Sequence, residues 1–367
     1  MELTKCKLGE LITQRREKND GSDLPICGVS KDGLIPPKQK DADTSIYNVF
    51  YRDDFIFNPA RMELNSIAIN DVYDRAICSS LYEVFYVHRT DLLLPHYLKL
   101  IIRQKWFTRY CEFLGQGSAR EYCRFSNISE IEIEFPPIEE QQKIVDYNTV
   151  IENRIALKQK VNDNLEATAQ AYFDNLFFSY DDTDCTLADI ALVNPSRPLS
   201  KGVEARCFDM STLPTSGCIP TGDTTKPYNG GVRFINGDTL IARITPCLEN
   251  GKAAYINILN EGEVAFGSTE YIVFASKDDI PSCFYYFLIR NSKFVTFALR
   301  FMNGSSGRQR VSGEELASFP LMTPSEEKLV AFNKVGKLVL EQTKEAAEEI
   351  QFLKQLQETI TATLSSN

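Results

Sequence analysis

An internal repeat is the feature that most constrains the fold, because a duplicated pattern decides the architecture before any single element is assigned. The stretch PHYLKLIIRQKWFTRYCEFLGQGSAREYCRFSNISEIEIEFPPIEEQQKIV at 95–145 returns as PSCFYYFLIRNSKFVTFALRFMNGSSGRQRVSGEELASFPLMTPSEEKLV at 281–330. Shorter matches occur in the same order, pairing 8–12 with 187–191, 53–69 with 237–256 and 79–87 with 267–276. The sequence therefore predicts a tandem duplication of one unit of about 180 residues.

Each unit contains the same series of predicted elements. Short runs such as LYEVFYV (81–87) and EYIVFAS (270–276) are rich in β-branched and aromatic residues, which favours strands. An amphipathic helix follows, at about 95–114 and 281–302, and we expect Gly115 and Gly304 to end it. After a loop of Ser, Gly and Arg residues and a strand-like run ending in proline, each unit finishes in a long polar helix.

These long helices, at about 138–178 and 325–365, carry narrow apolar stripes. Apolar residues recur every three or four positions in the first helix and every seven in the second, which is typical of pairing with one or two helices. We predict that the two helices, each ~60 Å long, pair with each other in antiparallel fashion, although two unrelated surface helices are the alternative. The side chains predicted at this interface are Ile144, Ile151, Ile155, Leu165, Tyr172, Phe332, Val339, Ala346, Leu353 and Ile360.

The predicted fold class is therefore α+β. Two similar domains, β-rich with helices, are separated by two long antiparallel coiled-coil helices, and the whole is pseudo-two-fold symmetric. We place the first domain at residues 1–136, the central helix at 137–180, the second domain at 181–323 and the C-terminal helix at 324–367.

Composition excludes several classes of protein. Hydrophobic residues make up 43% and charged residues 25% of the chain, which is ordinary globular usage and argues against disorder. The start, MELTKCKLGE, lacks an apolar signal core, and no window approaches ~18 apolar residues, so we expect a cytoplasmic protein without a membrane partner. The ten cysteines are scattered without a C-x-x-C pair, and with only two histidines we expect reduced thiols and no metal site.

The net charge of −10 argues at first against a nucleic-acid partner, because binding to a duplex depends on neutralising phosphates. The acidic surplus is unevenly distributed, however. Residues 138–178 contain seven acidic against four basic residues, and residues 325–367 contain seven against five. The long helices therefore account for half of the surplus, and their outer faces are predicted to meet protein partners and not phosphates.

Two blocks resemble a known family. One is the helix start Pro136-Pro137-Ile138-Glu139-Glu140-Gln141-Gln142-Lys143-Ile144-Val145, and the other is Gly237-Asp238-Thr239-Leu240-Ile241-Ala242-Arg243-Ile244-Thr245-Pro246. With the duplication, they resemble the specificity (S) subunit of type I restriction–modification systems over essentially the whole chain. The matches are not complete. The second helix start, Thr323-Pro324-Ser325-Glu326-Glu327-Lys328, lacks the glutamine, and the first unit has Asn58-Pro59-Ala60-Arg61 in place of Ala-Arg-x-Thr-Pro.

The resemblance implies a DNA-reading subunit that is not itself an enzyme. Each of two target recognition domains would read one half of a split double-stranded DNA site, while the long helices set the spacing and dock two methyltransferase (M) subunits, which restriction (R) subunits join. No cofactor is expected on this chain, since S-adenosylmethionine, ATP and Mg would be bound by the partner subunits. The repeat itself predicts half-sites ~34 Å apart on one face of the duplex, with different sequences because the two units differ.

Candidate DNA contacts are drawn mainly from the loop that follows the amphipathic helix in each unit, since arginine can bind guanine or phosphate and glycine lets the backbone approach. For isolated basic residues the competing interpretation is a solvated surface charge, and for Arg243 a structural pair with a carboxylate. The residues predicted to contact DNA are Arg15, Arg16, Lys38, Lys40, Arg61, Ser118, Arg120, Arg124, Lys226, Arg243, Ser305, Arg308, Gln309 and Arg310.

Two other functions are considered. A single-chain DNA methyltransferase would need an Asn/Asp-Pro-Pro-aromatic motif, but Asn58-Pro59-Ala60-Arg61 and Asn194-Pro195-Ser196-Arg197 lack the aromatic residue. A nuclease would need clustered carboxylates with a lysine, and Glu326-Glu327-Lys328 is better explained as the first turn of a helix. A coiled-coil adaptor that does not bind DNA would have no reason to repeat an arginine loop in both halves.

Overall fold

The computed structural model describes residues 3–31, 33–37, 43–115, 122–179, 182–305 and 307–363. Backbone contacts divide the chain into two compact units. Unit 1 is Met1–Arg154 together with Leu353–Asn367, and unit 2 is Ile155–Phe352. The domain boundaries drawn from the sequence remain a prediction.

Unit 1 contains short strands that form two four-stranded sheets and a two-stranded ribbon. The sheet orders are β2-β9-β6-β7 and β4-β3-β8-β5, and the ribbon is β1-β10. Pairing is antiparallel except between β3 and β8, which run parallel. The strands are β1 (Thr4–Lys7), β2 (Ile12–Arg15), β3 (Ile26–Ser30), β4 (Gly33–Ile35), β5 (Asn48–Tyr51), β6 (Phe55–Phe57), β7 (Ile67–Ile69), β8 (Arg75–Cys78), β9 (Glu83–Val87) and β10 (Glu132–Phe135).

Unit 2 repeats this topology strand for strand. Its sheets have the orders β12-β19-β16-β17 and β14-β13-β18-β15, its ribbon is β11-β20, and β13 and β18 again form the parallel pair. The duplication inferred from sequence is thus present in the strand order. The strands are β11 (Cys185–Thr186), β12 (Ala191–Val193), β13 (Glu204–Phe208), β14 (Thr224–Pro227), β15 (Val232–Phe234), β16 (Thr239–Ala242), β17 (Ala253–Tyr255), β18 (Ala265–Gly267), β19 (Tyr271–Ser276) and β20 (Pro320–Leu321).

Helices pack against one sheet of each unit and complete its core. In unit 2 the rings of Phe173, Phe284 and Phe332 meet at centroid distances of 5.0–5.1 Å. Each of these side chains is at most 1% exposed, so helix packing buries the largest apolar groups of this unit. The helices are α1 (Pro95–Ile102), α2 (Lys105–Gly115), α3 (Phe125–Ser129), α4 (Ile138–Phe177), α5 (Leu187–Ile190), α6 (Cys283–Arg290), α7 (Ser292–Arg300), α8 (Gly313–Ala317) and α9 (Glu326–Thr363), with 3₁₀ turns at Leu8–Glu10, Thr44–Ile46 and Pro59–Leu64.

The prediction of one amphipathic helix after the strands of each unit is wrong, because each contains a break. In unit 2 the backbone of Asn291 is extended, and its side chain accepts hydrogen bonds from the amides of Lys293 and Phe294 and so caps α7. In unit 1 the break falls between α1 and α2. Gly304 does not end the helix either, since α7 already ends at Arg300.

The start of α4 is fixed by one buried side chain, Gln141. Its amide group donates to the carbonyls of Leu92 and Pro136, at 2.7 and 2.8 Å, and its oxygen accepts from the Leu94 amide at 2.9 Å. Gln141 is completely buried. The glutamine of the Pro-Ile-Glu-Glu-Gln motif therefore ties the helix to the segment that precedes α1.

The segments of the two long helices that belong to unit 2 run antiparallel, as predicted. In unit 2, Phe173 near the end of α4 packs against Phe332 near the start of α9. Earlier in α4, the Lys158 ammonium lies 2.7 Å from the carboxylate of Glu349, which comes later in α9. In unit 1 the amide of Gln357 donates to Asn148 at 2.8 Å. Both units thus take one segment from α4 and one from α9.

The side chains predicted at the coiled-coil interface are all partly or fully buried. Phe332, Val339, Ala346 and Leu353 are 1–8% exposed, in keeping with their seven-residue repeat, and Ile151 is 7% exposed. The half-buried members of the predicted set are Ile144, Ile155, Leu165, Tyr172 and Ile360. Other apolar residues of the two helices are exposed: Tyr147, Val150, Leu157, Val161, Val330, Leu338, Phe352 and Leu356. No helix in the described ranges has an apolar stretch long enough to cross a bilayer.

Candidate nucleic-acid interface

The loop at 303–310 of unit 2, here called the arginine loop, is closed on itself by backbone hydrogen bonds. The amides of Asn303 and Arg310 each donate to the other residue's carbonyl at 2.9 Å. The Arg308 amide closes an inner turn on the Ser305 carbonyl, also at 2.9 Å. Positive φ angles at Gly304 (130°) and Gly307 (78°) let the chain reverse within so few residues.

A second segment fastens the arginine loop from outside. The Thr245 amide donates to the Gln309 carbonyl at 3.0 Å, and the Gln309 amide donates to the Thr245 hydroxyl at 3.0 Å. Next to this contact, the Val311 amide donates to the Arg243 carbonyl at 3.0 Å. The Gly-Asp-x-Leu-x-Ala-Arg-x-Thr-Pro block and the arginine loop, which are remote in sequence, are therefore adjacent in the fold.

Carboxylates surround the base of this loop. The Arg310 guanidinium binds Glu270 through three contacts of 2.7–3.0 Å, and this hydrogen bonding lowers the pKa of Glu270. The pKa of Glu315 is also lowered, mainly by the hydrogen bond from the Ser312 amide, and the charge of Arg243 makes a small contribution to the lowered pKa of both glutamates. Arg243 is half-buried, and its Nε has no hydrogen-bond partner among the described residues. Within the described part of the chain Arg243 forms no ion pair, although it lies close to both carboxylates.

The remaining residues predicted in this loop are available to a ligand. Ser305 and Arg308 are exposed, and Gln309 is half-buried. Within the described part of the chain, Arg308 forms no ion pair. Five of the residues predicted in unit 2 therefore come together here: Arg243, Ser305, Arg308, Gln309 and Arg310.

Unit 1 has a comparable arrangement. The guanidinium of Arg124 lies 3.1 Å from the carboxylate of Glu83, which also accepts from the Phe125 amide at 2.8 Å. The Cys123 amide donates to the Pro59 carbonyl at 3.0 Å, and this places the exposed Arg61 in the neighbouring segment. Ser118 and Arg120, predicted in the same loop, lie outside the described residues, as do Lys38 and Lys40.

The guanidinium of Arg15 is occupied inside unit 1. It donates to both oxygens of Asp54, at 2.6 and 3.1 Å, and lies over the rings of Tyr51 and Tyr86 at 4.7 and 4.6 Å. The Asp54 side chain is only 2% exposed, and burial raises its pKa against the opposing effect of the Arg15 hydrogen bond. The Tyr51 amide also donates to Asp54 at 2.8 Å.

Unit 2 repeats this buried pair with other residues. Arg197 donates to Asp238 at 2.6 Å, and the Ile235 amide donates to the same carboxylate at 2.9 Å. A pair that recurs at the start of the same strand in both units, β6 and β16, indicates a structural role for Arg15. Its prediction as a DNA contact is thereby weakened.

The last two predicted residues lie at the surface. Arg16 is exposed and donates to Gln14 at 2.8 Å. Lys226 lies on β14, 3.3 Å from the carboxylate of Asp209, and both side chains are substantially exposed, so this pair contributes little to stability. No group of three or more His, Cys, Asp or Glu residues in the described ranges is arranged to hold a metal ion.

Sequence reasoning missed the carboxylates that determine what the arginines do. Glu83, Glu270, Asp54 and Asp238 were not singled out. One indication was present, because the alignment of 53–69 with 237–256 places Asp54 opposite Asp238. A carboxylate repeated in both halves, at the start of an apolar strand, is a candidate for a buried ion pair.

Comparison with known proteins identifies the family. The family model described as the type I restriction modification DNA specificity domain matches residues 6–167 and 221–364, one stretch in each half of the chain. The chain belongs to this family. Membership accounts for both the repeated strand order and the repeated long helix.

Several specificity subunits of the family are similar in sequence over part of their length. That of the type I restriction enzyme EcoAI from Escherichia coli is 31% identical over 143 residues, which is 38% of this chain and 24% of that protein. That of EcoEI, also from Escherichia coli, is 28% identical over 200 residues, or 50% of this chain and 32% of that protein. The matches thus span about a quarter to a third of the length of these relatives.

A solved structure shares the fold. The crystal structure of the S subunit of a type I restriction-modification system from M. genitalium superposes with a TM-score of 0.60. The superposition covers 99% of this chain and 96% of that one, at 14% sequence identity.

Proposed function

We propose that the chain is the sequence-reading subunit of a type I restriction–modification complex, with each unit reading one half of a bipartite double-stranded DNA site. The observation that carries this proposal is the presence, in both units of a specificity-domain protein, of an arginine segment anchored to a glutamate. The two halves of the site differ in sequence, because the corresponding arginine segments of the two units differ: unit 1 has Gly-Ser-Ala-Arg-Glu at 117–121 where unit 2 has Gly-Ser-Ser-Gly-Arg-Gln at 304–309. The full site is therefore asymmetric.

Methylation mapping tests this proposal. We expect single-molecule sequencing of DNA from cells that express the chain with its methyltransferase subunits to show one split motif with two different halves. The halves lie about one helical turn apart, ~34 Å, the distance that places both on one face of the duplex. A continuous palindromic motif contradicts the proposal.

We further propose that the long helices dock two methyltransferase subunits, which restriction subunits then join. The apolar side chains exposed along α4 and α9, such as Leu157 and Leu338, support a protein-docking role. So does the acidic surplus of both helices, which disfavours phosphates. In this proposal S-adenosylmethionine, ATP and Mg are bound by the partner subunits, this chain performs no catalysis itself, and the complex acts in the cytoplasm.

A co-purification experiment tests the docking proposal. Leu157→Lys and Leu338→Lys each place a charge among the exposed apolar side chains of α4 or α9. Each variant should reduce recovery of the methyltransferase subunit, because burying a charge in an interface is costly. Lys337→Glu, a charge change at an exposed position of α9, serves as the control for altered charge alone. Unchanged recovery with both lysine variants rules out this face as the docking surface.

A further inference from the structure

The arginine loop holds two arginines in different states. The exposed Arg308 forms no ion pair within the described residues. The Arg310 guanidinium is bound to Glu270 through its Nε and Nη2. A guanidinium that already donates this pair of N–H groups to a carboxylate cannot present them to an acceptor on DNA. Arg308 can therefore offer its whole guanidinium fork to an acceptor, whereas Arg310 cannot offer the edge that binds Glu270.

Arg310 also fixes the backbone that carries Arg308. Its Nη1 donates to the Arg308 carbonyl at 3.2 Å, while its own backbone pairs with Asn303. On the other side of Arg308, the turn from Ser305 is closed by the Arg308 amide. Glu270 thus holds Arg310, and Arg310 holds the peptide from which Arg308 projects.

We propose that Arg308 is the side chain of this loop that contacts DNA and that Arg310 and Glu270 are positioning residues that hold it in place. The acceptor is a pair of oxygen or nitrogen atoms that matches the guanidinium fork, either guanine O6 and N7 or two phosphate oxygens. This inference rests on the proposed function. It goes further by assigning separate roles to two arginines that the sequence pattern treats alike.

Glu270 provides a test in which charge and positioning have opposite effects. Removing a carboxylate beside bound DNA should strengthen binding if only long-range charge mattered, since the carboxylate repels phosphates. If Glu270 positions the loop, its loss weakens binding instead, because Arg310 is released and Arg308 is no longer held. Whether Glu270→Gln weakens or strengthens DNA binding therefore distinguishes a positioning role from a long-range effect of charge.

The experiment measures DNA binding by the full chain together with its methyltransferase subunits. The probes are a fluorescent duplex that carries the motif found by methylation mapping, variants of it with single base-pair changes, and a random duplex of equal length. Affinities are measured by anisotropy between 50 and 200 mM salt. The variants are Arg308→Gln, Arg310→Gln, Arg310→Lys, Glu270→Gln and the Arg308→Gln/Glu270→Gln double variant, with the exposed Arg300→Gln and Glu314→Gln as matched controls.

Arg308→Gln should weaken binding at least about fivefold, the lower end of the range for one bidentate arginine contact. The slope of log affinity against log salt should fall by about one if the acceptor is a phosphate. If the acceptor is guanine, discrimination at one base pair is lost instead. Glu270→Gln and Arg310→Gln should also weaken binding, Arg310→Lys should recover part of the loss, and the double variant should bind no more weakly than Arg308→Gln alone.

Three results would overturn the inference. These are tighter binding by Glu270→Gln, a change for Arg308→Gln no larger than that for Arg300→Gln, or additive losses in the double variant. Thermal melting and co-purification with the methyltransferase subunits identify variants that fail to fold, and in that case Arg310→Lys, which keeps the positive charge, decides the role of Arg310. If the unsubstituted complex shows no salt-dependent DNA binding, the proposed function itself fails, a result distinct from any of these.

Discussion

At the scale of single residues, a carboxylate within reach decides whether the guanidinium of a predicted DNA contact is already occupied. Arg15 and Arg310 have their guanidinium groups occupied by Asp54 and Glu270, which lie 39 and 40 residues away along the chain. Residue type and loop composition could be read from the sequence, and they indicate basic segments correctly. The carboxylate partners of the arginines could not be read from the sequence, because a pair about 40 residues apart forms only when particular strands become neighbours in the fold.

The buried ion pairs lead to a prediction about stability. Arg197→Ala should lower the free energy of unfolding by about 3–5 kcal/mol, because it leaves the Asp238 carboxylate buried without a cation. Urea denaturation followed by circular dichroism measures this change. Arg89→Ala is the control, since the side chains of Arg89 and its partner Asp91 are both largely exposed and an exposed pair contributes at most about 1 kcal/mol. Equal losses in both variants contradict a special role for the buried pair.

The cysteines give a second prediction at this scale. Cys283 is 2% exposed, and burial raises its pKa to about 12, so almost no reactive thiolate is present or accessible at pH 8. Cys6, Cys185 and Cys247 are only partly buried. Alkylation by iodoacetamide, followed by mass spectrometry, should modify these three well before Cys283. In urea all ten should react, and rapid modification of Cys283 in the folded protein contradicts the prediction.

At the scale of elements, one hydrogen-bonded side chain or cap decides where a helix begins. Apolar periodicity correctly predicted the long helices and the helical character of 95–114 and 281–302. It missed the break in unit 2, because apolar residues resume at Phe294 beyond the short polar run 290–293, while the backbone of Asn291 is extended and its side chain caps α7. A helix cap within an amphipathic segment depends on local hydrogen bonds between a side chain and the backbone, and the spacing of apolar residues does not predict these bonds.

Gln141 provides a test of how strongly a helix start depends on one residue. Gln141→Ala should destabilise unit 1 by about 2–3 kcal/mol, since three buried hydrogen bonds are lost and backbone groups of Leu92, Leu94 and Pro136 are left with fewer partners. Urea denaturation measures the loss. The adjacent Gln142 is exposed, and Gln142→Ala should change stability by no more than about 0.5 kcal/mol. A similarly small effect for both variants excludes the proposed anchor.

The cap of α5 predicts a pH dependence. The backbone amide and hydroxyl of Thr186 donate to Asp189 and lower the pKa of this carboxyl group, with a smaller contribution from Lys277. Because the pKa is lower in the folded than in the unfolded protein, the charge of Asp189 stabilises unit 2 above the unfolded pKa of ~3.9. That stabilisation is lost as the pH falls through the folded value.

Asp189→Asn tests this sign, since it keeps the shape of the cap and removes the charge. The difference in urea midpoint between the unsubstituted protein and the variant should be largest at pH 7 and should shrink as the pH falls towards 3. The exposed Glu261→Gln is the control for loss of one acidic charge. A difference that stays constant with pH contradicts the assignment.

At the scale of the whole molecule, the repeat in the sequence corresponds to two units with the same strand order, which is why the architecture could be predicted from one chain. The predicted antiparallel pairing of the long helices implies that the end of α9 lies beside the start of α4, but the sequence pattern does not show where along these helices unit 1, with Met1–Arg154 and Leu353–Asn367, ends and unit 2 begins. That assignment depends on contacts such as the one between Gln357 and Asn148, which are 209 residues apart. The apolar repeat predicts that the two helices pair, but it does not identify the individual polar side chains that bond across them.

The net charge and the paired arginines together predict weak DNA binding by the chain alone. The chain has a net charge of −10, and three of the arginines predicted to contact DNA, Arg15, Arg124 and Arg310, are bound to carboxylates and so are less able to neutralise phosphates. We expect a Kd of about 10⁻⁶ M or weaker at physiological salt, the range of non-specific binding, and much tighter binding once methyltransferase subunits are added. Anisotropy titrations with and without those subunits measure both values. Nanomolar binding by the isolated chain contradicts this prediction.

The division of the chain between the units also sets the order in which they can be completed during synthesis. Unit 2 is one continuous segment, Ile155–Phe352, so all of its residues have been added before the ribosome reaches Leu353. Unit 1 contains the first residues to be made but also needs the segment that begins at Leu353, whose Gln357 bonds to Asn148. The unit that starts first is therefore finished last, and a chain interrupted after Phe352 would contain every residue of unit 2 while leaving unit 1 without its share of α9.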